Sequence, residues 1–253
     1  MTIHKPGNTA LSLLDFETLF LKEGEEKEQI FPLFEVVLVI IEGSCIIGVG
    51  KETWNLGRKN VFEDKASAVF ISPGTMFTLS AKTQTVLALC KARAQKRFKT
   101  VFVPQGQVKE EWRGASGYRR RVYNIINTET ETERIAVGET INEPGEWSSF
   151  PPHKHDKREE NNGSLIETPL EEIYYFKINP KTGFGFQRLY TKDGLFDESY
   201  IIKDGDTTHI SRGYHPVANI PGHHLYYLWM LAGEERRYIW NVDPEFRWLE
   251  KND

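Results

Sequence analysis

Two histidines one residue apart, His153 and His155, stand in the run Phe150-Pro151-Pro152-His153-Lys154-His155-Asp156. In an extended strand, residues two apart point to the same face, so both imidazoles can reach one point. The same half of the chain carries the adjacent carboxylates Glu171 and Glu172, just before Ile173-Tyr174-Tyr175-Phe176, and His215 after Arg212-Gly213-Tyr214. Three imidazoles and one carboxylate make an N3O set that suits divalent Zn, Mn, Fe, Ni or Co and leaves room for water or substrate. A structural zinc site is usually closed and richer in sulfur. A lone histidine is more often a packed or surface residue than a ligand. The order His-x-His, strand-opening Glu, Gly-x-His turns the reading towards a metal. Six of the seven histidines lie at or after position 153, and only His4 precedes them.

Softer candidates surround this set. Gln187 and Arg188 lie on a strand-like run expected beside the Glu172 run. An arginine there can grip a substrate carboxylate in a bidentate fork, or serve as a surface residue. Tyr214, Tyr226 and Tyr227 can offer hydroxyls to a polyhydroxy substrate, although paired tyrosines in a strand are more often core. Lys154, between the two histidines, points away from their face in a regular strand. His223-His224 follows Pro221-Gly222 and reads as a hairpin end.

The elements that must position these residues are strands. Phe34–Ile41 is β-branched and apolar and is followed by Glu42-Gly43. Further runs cover 45–49, 68–72, 85–89, 122–126, 135–137, 173–178, 185–190, 200–202 and 225–231. Most lie close to Gly, Pro, Asn or Asp, the pattern of a sandwich or barrel. Helical periodicity is scarce: 11–20 reads as two or three turns, and 108–112 as a weaker second helix. The fold class is all-β. Ser72-Pro73-Gly74-Thr75-Met76-Phe77 in the first half parallels Ser211-Arg212-Gly213-Tyr214-His215 in the second. Each half is the size of one small jelly-roll barrel. The polar stretch 106–117 separates them, giving units of 1–112 and 113–253. At the turn that would supply a distal histidine, the first half has Met76 or Phe77. The N-terminal barrel is therefore expected to hold no metal and to shape the cleft.

Composition narrows the class. A net charge of −4 over 253 residues, with acids and bases interspersed, gives no clustered basic face for nucleic acid. Cys45 and Cys90 lie inside apolar runs and read as buried free thiols. The start Met1-Thr2-Ile3-His4-Lys5-Pro6 has no leader-type apolar core, and no run approaches the ~20 apolar residues that span a bilayer. A cytoplasmic, membrane-free protein is expected, and a homo-oligomer is compatible with this reading.

Gly145, His153-Lys154-His155, Glu172, Gly205, Ser211, Gly213, His215 and Asn219 resemble the cupin pattern. The segments 147–156, 170–176, 183–191, 212–217 and 225–229 resemble the 5-deoxy-glucuronate isomerase family of myo-inositol breakdown, and the likeness spans most of 135–245. The resemblance implies two tandem cupin barrels. It also implies a divalent metal held in the C-terminal barrel by His153, His155, Glu172 and His215, and it favours Glu172 over Glu171 as the ligand. The implied reaction converts 5-deoxy-D-glucuronate, an aldose acid, into the ketose 5-dehydro-2-deoxy-D-gluconate through a metal-stabilised enediolate. Candidate catalytic residues are Glu171 and Tyr214; candidate substrate contacts are Gln187, Arg188 and Tyr227. A base drawn from Glu171, a tyrosine phenolate or a metal-held hydroxide stays open. The alternatives are the related uronate isomerase of pectin breakdown (5-keto-4-deoxyuronate isomerase) and a non-catalytic sugar-acid-binding bicupin. A metal-dependent dioxygenase fits less well, because Arg, Gln and several Tyr suit a polyhydroxy acid.

Overall fold

The computed structural model describes residues 2–5 and 10–252. Met1 and Pro6 of the N-terminal stretch lie outside the described residues. The described chain is built from strands, with short 3-10 turns at Gln105–Gln107 and Arg247–Asn252 and no α-helix among the described residues. No helix among them is long and apolar enough to cross a membrane. Both cysteines are buried and free.

Neither expected helix forms. Leu14–Leu21 is a strand paired residue for residue with Thr85–Arg93, from Leu14 opposite Ala92 to Leu21 opposite Thr85. Leu14 and Phe16 are buried and Asp15 is exposed, so the alternation of two governs its start. A helix of ten residues is marginal by itself, whereas eight ladder positions are available to a strand here. The second candidate is the exposed edge strand Lys109–Arg113.

Two compact units emerge, and each has its own core. The first comprises Ser12–Lys109 and Tyr123–Val137. Its central strand, Phe34–Val49, pairs with Thr85–Arg93 and Ala68–Ile71 through its first half. Its second half pairs with Glu52–Arg58 and Phe77–Ala81. The change of partners occurs at a register break between Ile40 and Glu42, next to Gly43 with φ +94°. A Cβ at Gly43 would collide with the backbone of Gln84 and Thr85, so this bend requires glycine. The enclosed core is apolar throughout: Leu38, Ile40, Ile47, Leu56, Val69, Phe77, Leu79 and Leu87 are among its members. The 123–137 segment is tied to this unit by Glu35. Its buried carboxylate accepts backbone N–H bonds from Glu133, Arg134 and Ile135 at 2.8, 2.7 and 2.8 Å.

The second unit comprises Glu110–Val122 and Gly138–Asp253 with the first residues of the chain. Its larger sheet runs Ile3–His4, Thr207–Ile210, Glu171–Asn179, His224–Ala232, Ala136–Asn142, Arg120–Ile126, Lys109–Arg113. A four-stranded sheet runs Trp147–Ser148, Val217–Asn219, Gly185–Tyr190, Asp197–Ile202. Apolar side chains of the two sheets meet in one core: Tyr174, Phe176, Ile178, Ile210, Leu225 and Tyr227 from the first, Leu189, Ile202 and Val217 from the second.

Candidate metal centre

Strand alternation decides what enters this interior. Along Glu171–Asn179, Tyr174, Phe176 and Ile178 belong to the core. Glu172 shares their face, and Glu171, opposite Ala232 in the ladder, lies on the other. His155 sits just past the short strand His153–Lys154, which pairs with Asn241–Val242. The exchange of bonds between His155 and Leu170 anchors it: Leu170 N–H donates to His155 O at 2.7 Å. His215 lies two residues before Val217 and faces the same interior. Gly213 makes the turn, with φ +83°, and a Cβ there would press on the Tyr190 carbonyl.

His155, Glu172 and His215 are all buried, and one ligand atom from each lies within 4.8 Å of the others. Nε2 of His155 and Nε2 of His215 each stand 3.2 Å from the same carboxylate oxygen of Glu172. The opposite ring nitrogens face main-chain carbonyls: His155 Nδ1 lies 3.1 Å from Leu170 O and His215 Nδ1 3.0 Å from Gly213 O. A carbonyl can only accept, so each ring donates there from Nδ1 and directs its Nε2 to the centre. His215 Nε2 is buried and, despite its closeness to Glu172, lacks hydrogen-bond geometry to any protein group. Two imidazole nitrogens converging on a buried carboxylate, one of them without a hydrogen-bond partner, are the donor set a divalent ion takes. The residues fit a metal.

His153 packs beside this triad. Its Nδ1 lies 3.2 Å from Pro151 O, and its ring is 4.8 Å from that of His215, edge-on. Burial, followed by the His215 and His155 rings, lowers its pKa well below the ordinary value, so it is a neutral imidazole. Burial raises Glu172, but His155 and His215 outweigh it and bring the carboxyl down to about 2. Burial also opposes a proton on His155, and the Glu172 carboxylate overcomes it.

Lys154 faces away, as alternation requires. Its ammonium donates to both oxygens of the buried Glu167 at 2.7 Å and to Asp156 at 2.8 Å. Asp156 Oδ2 in turn accepts the Gly213 N–H at 2.6 Å. This network ties the His153–His155 segment to the turn that carries His215.

The structure separates the remaining candidates by face. Gln187 and Tyr227 point into the interior and are buried. Arg188 points out: its guanidinium forks onto Asp197 at 2.8 and 2.7 Å and lies over the Tyr190 ring. Tyr214 stacks on Tyr190 at 5.1 Å, and Tyr190 donates to Asp243 at 2.6 Å. Burial, reinforced by Asp243, pushes the Tyr214 phenol up to about 12, which makes it a poor base at neutral pH. Glu171, Tyr214 and Arg188 are therefore not brought to the cluster. Each sits one residue from an inward-facing one, and alternation turns it away.

Tyr174 is the residue that sequence reasoning passed over. It lies two residues beyond Glu172 on the same face, and its hydroxyl is 2.7 Å from Ser149 Oγ. Its ring stands 6.0 Å from His215 and 4.5 Å from Tyr227. Burial and the Glu172 charge raise its pKa well above the ordinary phenol, so it keeps its proton. Reading the alternation onward from Glu172 would have found it.

The model of the KduI/IolB family matches residues 1–249. The chain belongs to the KduI/IolB family. A 5-deoxy-glucuronate isomerase of Geobacillus thermodenitrificans (strain NG80-2) is 35% identical over 249 residues, covering 96% of this chain and 89% of the relative. The enzyme of that name from Listeria monocytogenes serovar 1/2a is 33% identical over 252 residues, covering 98% and 91%. An IolB-like protein of Salmonella typhimurium LT2 has a crystal structure that superposes with a TM-score of 0.89 at 31% identity, covering 94% of this KduI/IolB chain and 90% of that one. Oxalate decarboxylase of Lactobacillus farciminis superposes at 0.66 with 12% identity, covering 94% and 81%. That likeness shows an all-β fold of cupin type.

Proposed function

We propose that this chain is an isomerase, an intramolecular oxidoreductase that converts 5-deoxy-D-glucuronate to 5-dehydro-2-deoxy-D-gluconate in inositol breakdown. The curated relatives, which span nearly the whole chain, carry that activity in their names. The observation that carries the reading in this molecule is the convergence of His155 and His215 on one oxygen of Glu172. We further propose tandem cupin barrels, 1–112 and 113–253, with the metal in the second, the first residues of the chain packing with the second and the 123–137 segment with the first.

His155, Glu172 and His215, with His153 beside them, would hold a divalent ion. When bound, it supplies Lewis acidity to a carbonyl and its neighbouring hydroxyl, where charge develops as the proton leaves C2. The chain supplies the rest. Main-chain carbonyls at the Nδ1 atoms fix the imidazoles before substrate arrives. Glu172 brings the negative charge that makes the centre selective for a cation. Tyr174 holds its proton and is placed to donate to an oxyanion, a role that falls to it rather than to Tyr214. The aromatic wall of Tyr174, Phe176 and Tyr227 excludes water, which strengthens every charge interaction in the site.

The deciding experiment supplies 5-deoxy-D-glucuronate to the purified protein, then repeats the assay after chelation and metal return. Turnover that chelation abolishes and metal restores supports the proposal. Turnover of 5-keto-4-deoxyuronate alone would move the chain to the pectin-side isomerases, and binding without turnover to a sugar-acid-binding protein. In deuterated solvent, label should enter the product at the former aldehyde carbon. Its complete absence would point to hydride transfer.

A further inference from the structure

Several buried polar side chains outside the metal centre lack a protein partner among the described residues, and Gln187 lacks one at both ends of its amide. Gln187 is fully buried, and neither its amide oxygen nor its amide nitrogen has a hydrogen-bond partner in the protein. Leaving one buried donor or acceptor unmade costs about 1–3 kcal/mol. A protein that merely needed volume here would gain stability from leucine.

The register says where this amide is. Gln187 is directly opposite Val217, and Val217 is directly opposite Ser148 on its other side. The three form one row across the four-stranded sheet and point to one face. Val217 belongs to the core, so that face is the interior. Ser148 is also fully buried, and its hydroxyl also lacks a partner. Tyr200, next in the row beyond Gln187, is already satisfied by Glu198. His215 precedes Val217 by two residues, and Tyr190 bridges Tyr214, so Gln187 is the diagonal neighbour of His215. Diagonal positions in a sheet lie ~7–8 Å apart at the backbone. A small molecule reaching the centre at Glu172 and His215 would touch both prongs of this row.

We propose that Gln187 and Ser148 are substrate-reading residues, which bind hydroxyl groups of an open-chain polyhydroxy acid held at the metal centre. The inference rests on the isomerase reading above and names how that site selects its substrate. The chemistry matches: an amide offers both acceptor and donors, and a hydroxyl needs both. The facing wall is aromatic, formed by Tyr174, Phe176 and Tyr227. It gives the deoxygenated carbon an apolar surface, while the Ser148–Gln187 row takes the hydroxylated side. Unpaired polar groups in such a site also penalise a ligand that lacks the matching hydroxyl.

The test uses the metal-loaded full chain and Gln187→Leu and Ser148→Ala. The ligand is reduced substrate, the open-chain acid left when the aldehyde of 5-deoxy-D-glucuronate becomes a primary alcohol, which cannot isomerise. Calorimetric Kd should rise about 10–30-fold in Gln187→Leu and about 3–10-fold in Ser148→Ala, the loss of two and one net hydrogen bonds. KM for the substrate should rise alongside. Metal content should be unchanged, and the thermal midpoint of Gln187→Leu unchanged or higher, an outcome a structural role would not give. Equal Kd in Gln187→Leu and wild type overturns the proposal. So does a weaker Kd that comes with lost metal and a lower midpoint. If wild type binds the reduced acid but turns over no 5-deoxy-D-glucuronate, the isomerase reading falls while a weaker Kd in Gln187→Leu keeps the row. A wild-type protein that binds no reduced acid overturns the row, and turnover of 5-deoxy-D-glucuronate decides the isomerase reading separately.

Discussion

Glu35 and Glu172 are both buried glutamates, one in each unit, and their charges are spent differently. Glu35 is surrounded by main-chain donors: three consecutive N–H groups close on its two oxygens. Burial pushes its pKa up against those amides, and the result is a tether for one chain segment. Glu172 shares one oxygen with two imidazoles whose opposite nitrogens are fixed elsewhere. The interiors differ in the same way. The first unit fills its core with Leu, Ile, Val and Phe. The parallel turns show the swap directly: Gly74 and Gly213 both adopt positive φ, but Phe77 after the first enters an apolar core whereas His215 after the second enters the ligand cluster. A similar turn serves packing in one place and chemistry in the other, and the side chain after it decides which.

The sharpest way to break this contrast is to remove the second unit's carboxylate. Glu172→Gln is expected to lose bound metal and about 10³-fold or more of turnover, since the ion's charge stabilisation amounts to several kcal/mol. Elemental analysis beside the isomerase assay checks both. Retained turnover in a metal-free Glu172→Gln protein would remove the metal from the mechanism.

The first unit should respond in the opposite sense. Leu38 is fully buried in the apolar core, so Leu38→Ala should cost about 2–5 kcal/mol of stability through lost transfer energy and a residual cavity. Metal bound per folded molecule should not change. Denaturant unfolding and metal analysis on the folded fraction separate the two readouts. A first-unit core mutation that strips the metal at full folding would show that the division of labour is wrong.

The sequence carried the part of this contrast that is local. His153, His155 and His215 stand out by spacing and by the absence of any counterpart before position 153. Strand type was readable from β-branched runs, except at 14–21, where Leu-Asp-Phe-Glu-Thr-Leu-Phe-Leu supports periods of both 2 and 3.6. The ladder with Thr85–Arg93 chose between them, and that partner is remote in sequence. Choosing between neighbours was harder. Glu171 or Glu172, Gln187 or Arg188, and Tyr214 or His215 are pairs in which one member faces in. Which one does is set by pairing with distant strands. The unmade hydrogen bonds of Gln187 have no sequence signal at all.

A third buried carboxylate refines the comparison within the second unit. Asp243 accepts from Tyr190 at 2.6 Å, and its other oxygen lies 2.7 Å from the Lys192 ammonium. Burial raises its pKa, but Lys192, Tyr190 and the Glu245 amide outweigh it and hold the carboxyl below its ordinary value. A depressed folded pKa stabilises above the unfolded carboxylate value, and that stability is lost as pH falls through the folded one. Asp243→Asn should therefore cost about 2 kcal/mol near neutrality, the scale of hydrogen bonds to a charged group. The gap from wild type should narrow as pH drops below the carboxylate range, as read by urea unfolding at several pH values. Metal content should stay level, because this charge is spent on structure.

The smallest expected effect tests the two faces of a single strand. Arg188 and Gln187 are adjacent, but Arg188 is half-exposed and already forked onto Asp197. An exposed ion pair contributes about 0–1 kcal/mol. Arg188→Ala should therefore move stability by less than about 1 kcal/mol and leave the KM for substrate within the error of the assay, where Gln187→Leu raises it. If the arginine instead took the substrate carboxylate, its removal would cost a charge-assisted bidentate contact, about 1.5–3 kcal/mol of binding. At 1.4 kcal/mol per decade that is a KM shift of roughly 10–100-fold. The two outcomes are well separated, and a shift of that size would require the Gly185–Tyr190 strand to present its other face to the ligand.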